Sequence, residues 1–92
     1  MPGLPNGFSN LSTGQTTMDG SAVQLTDALA SEVILTALKA NSAALYVGGA
    51  SVASGNGLEI APGNSVTVHV AHVAMLYASG ANGDKLSWLA AY

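Results

Sequence analysis

Residues 65–70, SVTVHV, alternate strictly between polar and apolar side chains, so that Val66, Val68 and Val70 share one face. Successive side chains of a β-strand point to opposite faces, and this period of two therefore predicts a half-buried strand. The β-branched valines also suit a pleated surface better than a helix. We expect the domain around this stretch to be built from strands.

Short runs of the same kind lie on both sides of this stretch, and Gly, Asn and Pro residues separate them. Such spacing is typical of antiparallel strands joined by turns. About seven short strands predict an all-β fold, either a small antiparallel β-sandwich or a barrel-like domain. Besides 65–70, the predicted strands are residues 21–25, 32–38, 43–48, 58–60, 73–78 and 84–91.

Residues 22–40 leave one alternative open, because Ala and Leu are common there and favour a helix. Val33, Ile34 and Thr36 stand close together, and β-branched side chains favour a strand. In the last predicted strand, alternation places Trp88 on the same face as Leu86. This favours a core position for Trp88 over an exposed ligand platform.

The first 20 residues, MPGLPNGFSNLSTGQTTMDG, are interrupted by Pro and Gly too often for a helix or a long strand. We expect residues 1–20 to form an extended N-terminal arm and residues 21–92 to form the β-domain. The arm is either a loose terminus or a segment that orders on a neighbouring subunit. In the second case Leu4, Phe8 and Leu11 are its apolar anchors.

Composition indicates that the chain acts as part of an assembly. The 92 residues suffice for one domain, and without cysteine no disulfide can reinforce it. A core of this size rarely supplies more than ~3–5 kcal/mol, so oligomerisation is the expected source of further stability. Charged residues make up only 8% of the chain, against about 25% in a typical soluble domain. We therefore expect other chains to cover much of the surface.

Several functional classes are excluded by the same composition. Two lysines and no arginine cannot neutralise a run of phosphates, so we expect no nucleic-acid binding. No apolar run reaches the ~18 residues of a membrane span. The first 20 residues lack the basic start and apolar core of a signal peptide.

No catalytic, cofactor or metal motif is evident. His69 and His72 are three residues apart and would point to opposite faces of a strand, which disfavours a shared metal ion. A ring of histidines around an oligomer axis remains open. Residues 48–57 are Gly-rich but lack the Gly-Lys-Ser/Thr ending of a phosphate loop, and there is no Gly-x-Ser-x-Gly elbow. We expect a protein that is not an enzyme.

Six short motifs follow one another between residues 22 and 91. They are VQL at 23–25, LYVG at 45–48, VASGNGL at 52–58, IAPGNSV at 60–66, LYA at 76–78 and GDKLSWL at 83–89. Each is weak alone, but their order and spacing resemble small structural proteins of tailed bacteriophages, of the capsid decoration (cement) type.

This resemblance implies a virion component, made in the host cytoplasm, that stabilises the head. Decoration proteins of this kind are commonly trimers that bind the major capsid protein across capsomer junctions. On this hypothesis Leu4, Phe8 and Leu11 contact the capsid, and His69, Val73 and Tyr92 contact neighbouring subunits. The alternative is a structural or adhesion module of the tail, neck or fibre, binding through residues 48–57 or 79–83.

Overall fold

The structure is a computed structural model that describes residues 9–92. Over this span, strands account for nearly all of the regular structure, and no helix is long and apolar enough to cross a membrane. One 3-10 helix covers Val73–Met75. The strands are β1 (Leu11–Thr17), β2 (Val23–Gln24), β3 (Glu32–Ala37), β4 (Leu45–Gly48), β5 (Leu58–Ile60), β6 (Ser65–Val68), β7 (Tyr77–Ser79) and β8 (Lys85–Ala91).

The strands form two four-stranded sheets that pack face to face. The first sheet has the order β1-β8-β3-β6 and the second β2-β7-β4-β5, with all neighbours antiparallel. The predicted all-β fold is therefore confirmed, as a small sandwich.

The core lies between the two sheets and takes alternate residues from their strands. Leu35, Leu86 and Trp88 enter it from the first sheet, and Leu45 and Ile60 enter it from the second. Trp88 is only 4% exposed, which confirms its predicted core position. Burial of these side chains is the main favourable contribution to folding, at about 25 cal/mol per Å² of apolar surface.

The valines of residues 65–70 pack against the core as predicted, but β6 itself ends at Val68. The chain then crosses from the first sheet to the second. During the crossing the Ala30 N–H donates to the Ala71 carbonyl (2.9 Å) and the Val73 N–H to the Ala28 carbonyl (2.9 Å). The prediction of a strand over residues 73–78 is therefore half wrong: a 3-10 turn follows the crossing and β7 begins at Tyr77.

The N-terminal prediction needs a larger correction. Within the expected arm, residues 11–17 form β1, which pairs with β8 in an unbroken register from Leu11 opposite Ala91 to Thr17 opposite Lys85. Residues 1–8, with Leu4 and Phe8, lie outside the described residues. The arm prediction therefore applies to less of the chain than expected.

Gly14 allows β1 to pair closely with β8 within the first sheet. It stands opposite Trp88, and a Cβ atom built on Gly14 would lie 2.7 Å from Cζ2 of the indole. Any other residue at this position would collide with a large, buried ring. A glycine that the sequence pattern marks as a strand breaker is thus required by packing.

Asp84 connects two turns at one end of the sandwich. Its carboxylate accepts hydrogen bonds from the N–H groups of Ser42 (2.9 Å) and Ala43 (3.2 Å), and also from the Ser42 hydroxyl. The neighbouring Asn41 side chain bonds both backbone groups of Lys85 at 2.8 Å. The two turns that these contacts join both carry the chain between the sheets, so this end of the sandwich is held together by polar contacts.

These hydrogen bonds lower the pKa of the Asp84 carboxyl. The Ser42 N–H has the largest effect; partial burial opposes it, and the Ser42 hydroxyl and the Ala43 N–H add to it. The ionised carboxylate is therefore favoured in the folded protein.

We expect Gly14→Ala to lower the free energy of unfolding by about 1–3 kcal/mol, because the new methyl group must displace the indole or β1. The matched control is Gly55→Ala, since a Cβ there meets no atom within 4 Å. Urea unfolding of both variants measures the difference. Equal stability of the two would contradict the close packing of Gly14 on Trp88.

We expect acid to destabilise the natural protein partly through Asp84. Because its folded pKa is lowered, the stabilisation is complete above the ordinary Asp pKa and is lost as the pH falls through the folded value. Asp84→Asn should lower the melting temperature at neutral pH and flatten its fall in acid. The remaining acid dependence would come in part from Asp19, whose pKa the Ser21 N–H lowers. Glu59→Gln is the charge-matched control; if it behaves like Asp84→Asn, the Asp84 account is wrong.

Candidate interaction surface

One face of the first sheet covers the core, and the other points away from the second sheet. We call the second of these the outer face. The alternation of side chains along each strand determines which residues lie on the outer face, and all four strands contribute residues to it. Its residues are Leu11, Thr13, Gln15 and Thr17 of β1, Lys85, Ser87, Leu89 and Ala91 of β8, Glu32, Ile34 and Thr36 of β3, and Ser65 and Thr67 of β6.

The strand register arranges these side chains in rows across the sheet. The middle row runs from Thr13 through Leu89 and Ile34 to Thr67. Its two aliphatic side chains lie at the centre, and Ile34 is 36% exposed. A shallow depression of about 290 Å³ lies around them, with Thr13, Thr36, Ser87 and Trp88 also lining it. The centre of the outer face is thus apolar and slightly concave.

The adjacent row is neutral and polar. It runs from Gln15 through Ser87 and Thr36 to Ser65. The hydroxyls of Thr36 and Ser65 share a hydrogen bond of 2.7 Å. Hydroxyl and amide groups both donate and accept, so this row can bond to a peptide or side-chain partner of either polarity.

Ionic groups are confined to the two ends of the outer face. Glu32 lies at one end, where Oε2 is 3.4 Å from Nε2 of His69, and Lys85 lies at the other end beside Thr17. The two rows between them carry no charge. A surface with this distribution resembles the centre of a protein–protein interface, where charged residues are depleted. It offers little to a phosphate or another small charged ligand.

Of the three residues predicted to contact a capsid, the structure describes Leu11. It is 68% exposed and lies on β1 at the margin of the outer face. Leu4 and Phe8 precede the described residues. Leu11 is therefore well placed to contact another molecule, whereas the contact itself stays a prediction.

The three residues predicted to contact neighbouring subunits do not form one surface. The His69 side chain is 74% exposed and lies beside Glu32. Tyr92 is half-buried, and its N–H donates to the Asn10 carbonyl at 3.0 Å. Val73 is completely buried in the core of its own chain and has no surface for a partner. The expected role of Val73 is thus corrected: it is a core residue placed by the crossing between the sheets.

The two histidines pair with different acids. His72 Nδ1 lies 3.5 Å from Oδ1 of Asp27, and both side chains are at least half exposed. His69 pairs with Glu32 instead. Within residues 9–92, no three acidic or histidine side chains gather in a geometry that could hold a metal ion.

The loop between β4 and β5 is held by hydrogen bonds from one of its own side chains. The Asn56 side chain accepts from the Ala53 N–H (2.8 Å) and donates to the Ser51 carbonyl (3.2 Å). Val52 is buried beneath it and 6% exposed. A second depression of about 230 Å³ lies here, lined by Gly48, Gly49, Ser51, Val52 and Asn56. Its lining contains no ionisable group.

Sequence reasoning missed the centre of the outer face. Alternation had placed Leu86 and Trp88 in the core, and the same alternation implies that Ser87 and Leu89 point outward. Ile34 follows in the same way from the burial of Val33 and Leu35. The alternation pattern could have identified these outward-facing residues. In β3 and β8, however, apolar side chains lie on both faces, so the outward-facing ones do not stand out.

Comparison of the chain with protein-family models, with curated proteins and with solved structures gave no match.

Proposed function

We propose that this protein is a structural component of a bacteriophage virion, a decoration protein that stabilises the capsid by binding across capsomer junctions as a homo-oligomer. It acts through binding rather than catalysis. The observation that carries the proposal is the outer face: a four-stranded surface with an apolar centre, a neutral polar row and charges only at its ends.

The charge balance of the whole chain supports this role. Five acidic and two basic residues leave a 92-residue protein with few of the ionic groups that keep a free monomer dispersed. A protein that functions while bound to a larger shell does not depend on these ionic groups for solubility. Repeated copies on a shell also add their individually weak contacts through multivalency.

The resemblance supplies the capsid as the partner. Three of its six motifs lie on strands of the sandwich: LYVG is β4, LYA leads into β7, and GDKLSWL covers the turn before β8 and most of that strand. It implies a trimer over a junction of capsomers, with the segment containing Leu4, Phe8 and Leu11 directed to the shell.

The second candidate function is a tail, neck or fibre module. The observation that favours it is the loop between β4 and β5, whose depression is lined in part by Asn56, the residue that makes the side-chain hydrogen bonds within the loop. Loops that are fixed by their own side chains commonly carry binding sites. In this case Asn56→Ala would abolish partner binding, and changes on the outer face would leave it intact.

Co-sedimentation with purified expanded shells of the same phage tests the proposal. We expect the natural protein to pellet with the shells, and we expect Ile34→Lys combined with Leu89→Glu to remain in the supernatant, because the apolar centre of the outer face is lost. Leu58→Lys is the matched control, since Leu58 is 52% exposed on the second sheet. Thermal melting confirms beforehand that each variant is folded.

Two results would contradict this proposal. A natural protein that stays in the supernatant at every shell concentration removes the decoration role. Shell binding that survives the Ile34 and Leu89 changes removes the outer face as the contact surface. Deletion of residues 2–8 then shows whether shell attachment depends on the N-terminal segment.

A further inference from the structure

Among residues 9–92, β1 is an edge strand of the first sheet, and only the side that faces β8 is paired. Asn10 and Tyr92 exchange backbone hydrogen bonds of 2.8 and 3.0 Å, and the Met18 N–H donates to the Asp84 carbonyl at 2.7 Å. In an antiparallel pair, bonded and non-bonded residues alternate. The even-numbered residues of β1 therefore bond to β8, and the N–H and C=O groups of Leu11, Thr13, Gln15 and Thr17 point away from it.

This free edge lacks the features that usually prevent edge pairing. Edge strands are commonly short, charged, bulged or interrupted by proline. β1 has seven residues, LSTGQTT, with no charge and no proline, and its register is unbroken. The other edges are shorter: β2 has two residues, β5 has three including Glu59, and β6 has four. β1 is thus the least protected edge among the described strands.

We propose that β1 is the interface with a second copy of this chain, which pairs its own β1 antiparallel to it about a two-fold axis beside Gly14. A two-fold contact requires a self-complementary surface. Centred on Gly14, Leu11 stands opposite the partner's Thr17 and Thr13 stands opposite the partner's Gln15. The residues with unpaired backbone groups then face one another along the whole strand.

The second copy is the occupant because its β1 matches this edge in length and polarity. The four residues of β6 would leave almost half of β1 unpaired. The two β1 strands bring only neutral side chains together, and Thr and Gln tolerate each other across a strand pair. Pairing also covers part of the exposed side chain of Leu11, which is the most exposed large apolar residue on the first sheet.

The outer faces of the two copies would join into one surface of twice the width. This doubles the apolar rows available to a larger partner without a change in fold. A two-fold contact produces dimers, or pairs of larger rings, and so differs from the isolated trimer that the resemblance implies. The inference does not rest on the capsid role, since the chain could pair in this way with no shell present.

The mass of the full chain in solution tests the pairing, measured by sedimentation equilibrium over a range of concentrations. We expect a dimer, or an even-numbered assembly, for the natural protein. Thr13→Lys together with Gln15→Lys places like charges opposite each other in both copies and should raise the dissociation constant by about tenfold or more.

A charge reversal tests the register itself. Thr13→Lys together with Gln15→Glu places opposite charges across the same two positions and should restore association to near the natural level. Thr67→Lys is the matched control, because Thr67 also lies on the outer face but on β6. It should leave the mass unchanged.

Three outcomes would overturn the pairing. They are a natural protein that is monomeric at every concentration, a trimer whose mass none of the β1 changes affects, and a Lys–Glu variant that dissociates as readily as the Lys–Lys variant. In each of these cases shell binding by the outer face can still be positive, so failure here is distinguishable from failure of the proposed function. Melting curves of both double variants establish that the sandwich is intact.

Discussion

The contact between Trp88 and Gly14 is the interaction on which the rest of the structure depends. β8 lies between β1 and β3, and its largest side chain fills the space that a Cβ atom on Gly14 would occupy. This allows β1, which has no apolar period, to pair along the full length of β8. The indole N–H finds no acceptor among residues 9–92. An unpaired buried donor is costly, so tight packing of the ring, and not a hydrogen bond, must keep Trp88 in this place.

The position of β1 decides what the molecule presents to its surroundings. With β1 in place, the first sheet is four strands wide, and rows of neutral side chains cross it around Ile34 and Leu89. β1 also becomes the edge of that sheet, and among residues 9–92 the backbone groups on its outer side have no partner. Both features are uncharged, as is most of the chain, and both proposals start from this lack of charge at the centre of the surface. The proposals for shell binding and for pairing use different parts of this one surface.

Much of the fold could be predicted from local patterns, because residues 32–37, 65–68 and 85–91 carry the side chains expected of strands. β1 could not be predicted in this way. LSTGQTT has no apolar period, and it is a strand because distant residues of β8 supply its hydrogen bonds and the indole that Gly14 accommodates. The burial of Val73 also depends on distant contacts, made where the chain crosses between the sheets. Of the outer face, only Leu11 was predicted to be a contact residue. Ile34 and Leu89 were not, because their exposure depends on which side of the first sheet the second sheet covers.

Amide hydrogen exchange of the full chain, followed residue by residue at low and high protein concentration, tests most directly that β1 belongs to the sandwich and exposes an edge that a second copy covers. The account predicts that the amides of Ser12, Gly14 and Thr16, bonded to β8, are protected at both concentrations. It predicts that the amides of Thr13 and Gln15 exchange quickly when dilute and become protected as the concentration rises. Fast exchange of all five amides would show that β1 is not part of the sheet. Exchange of Thr13 and Gln15 that is fast at every concentration would show that no copy covers its edge.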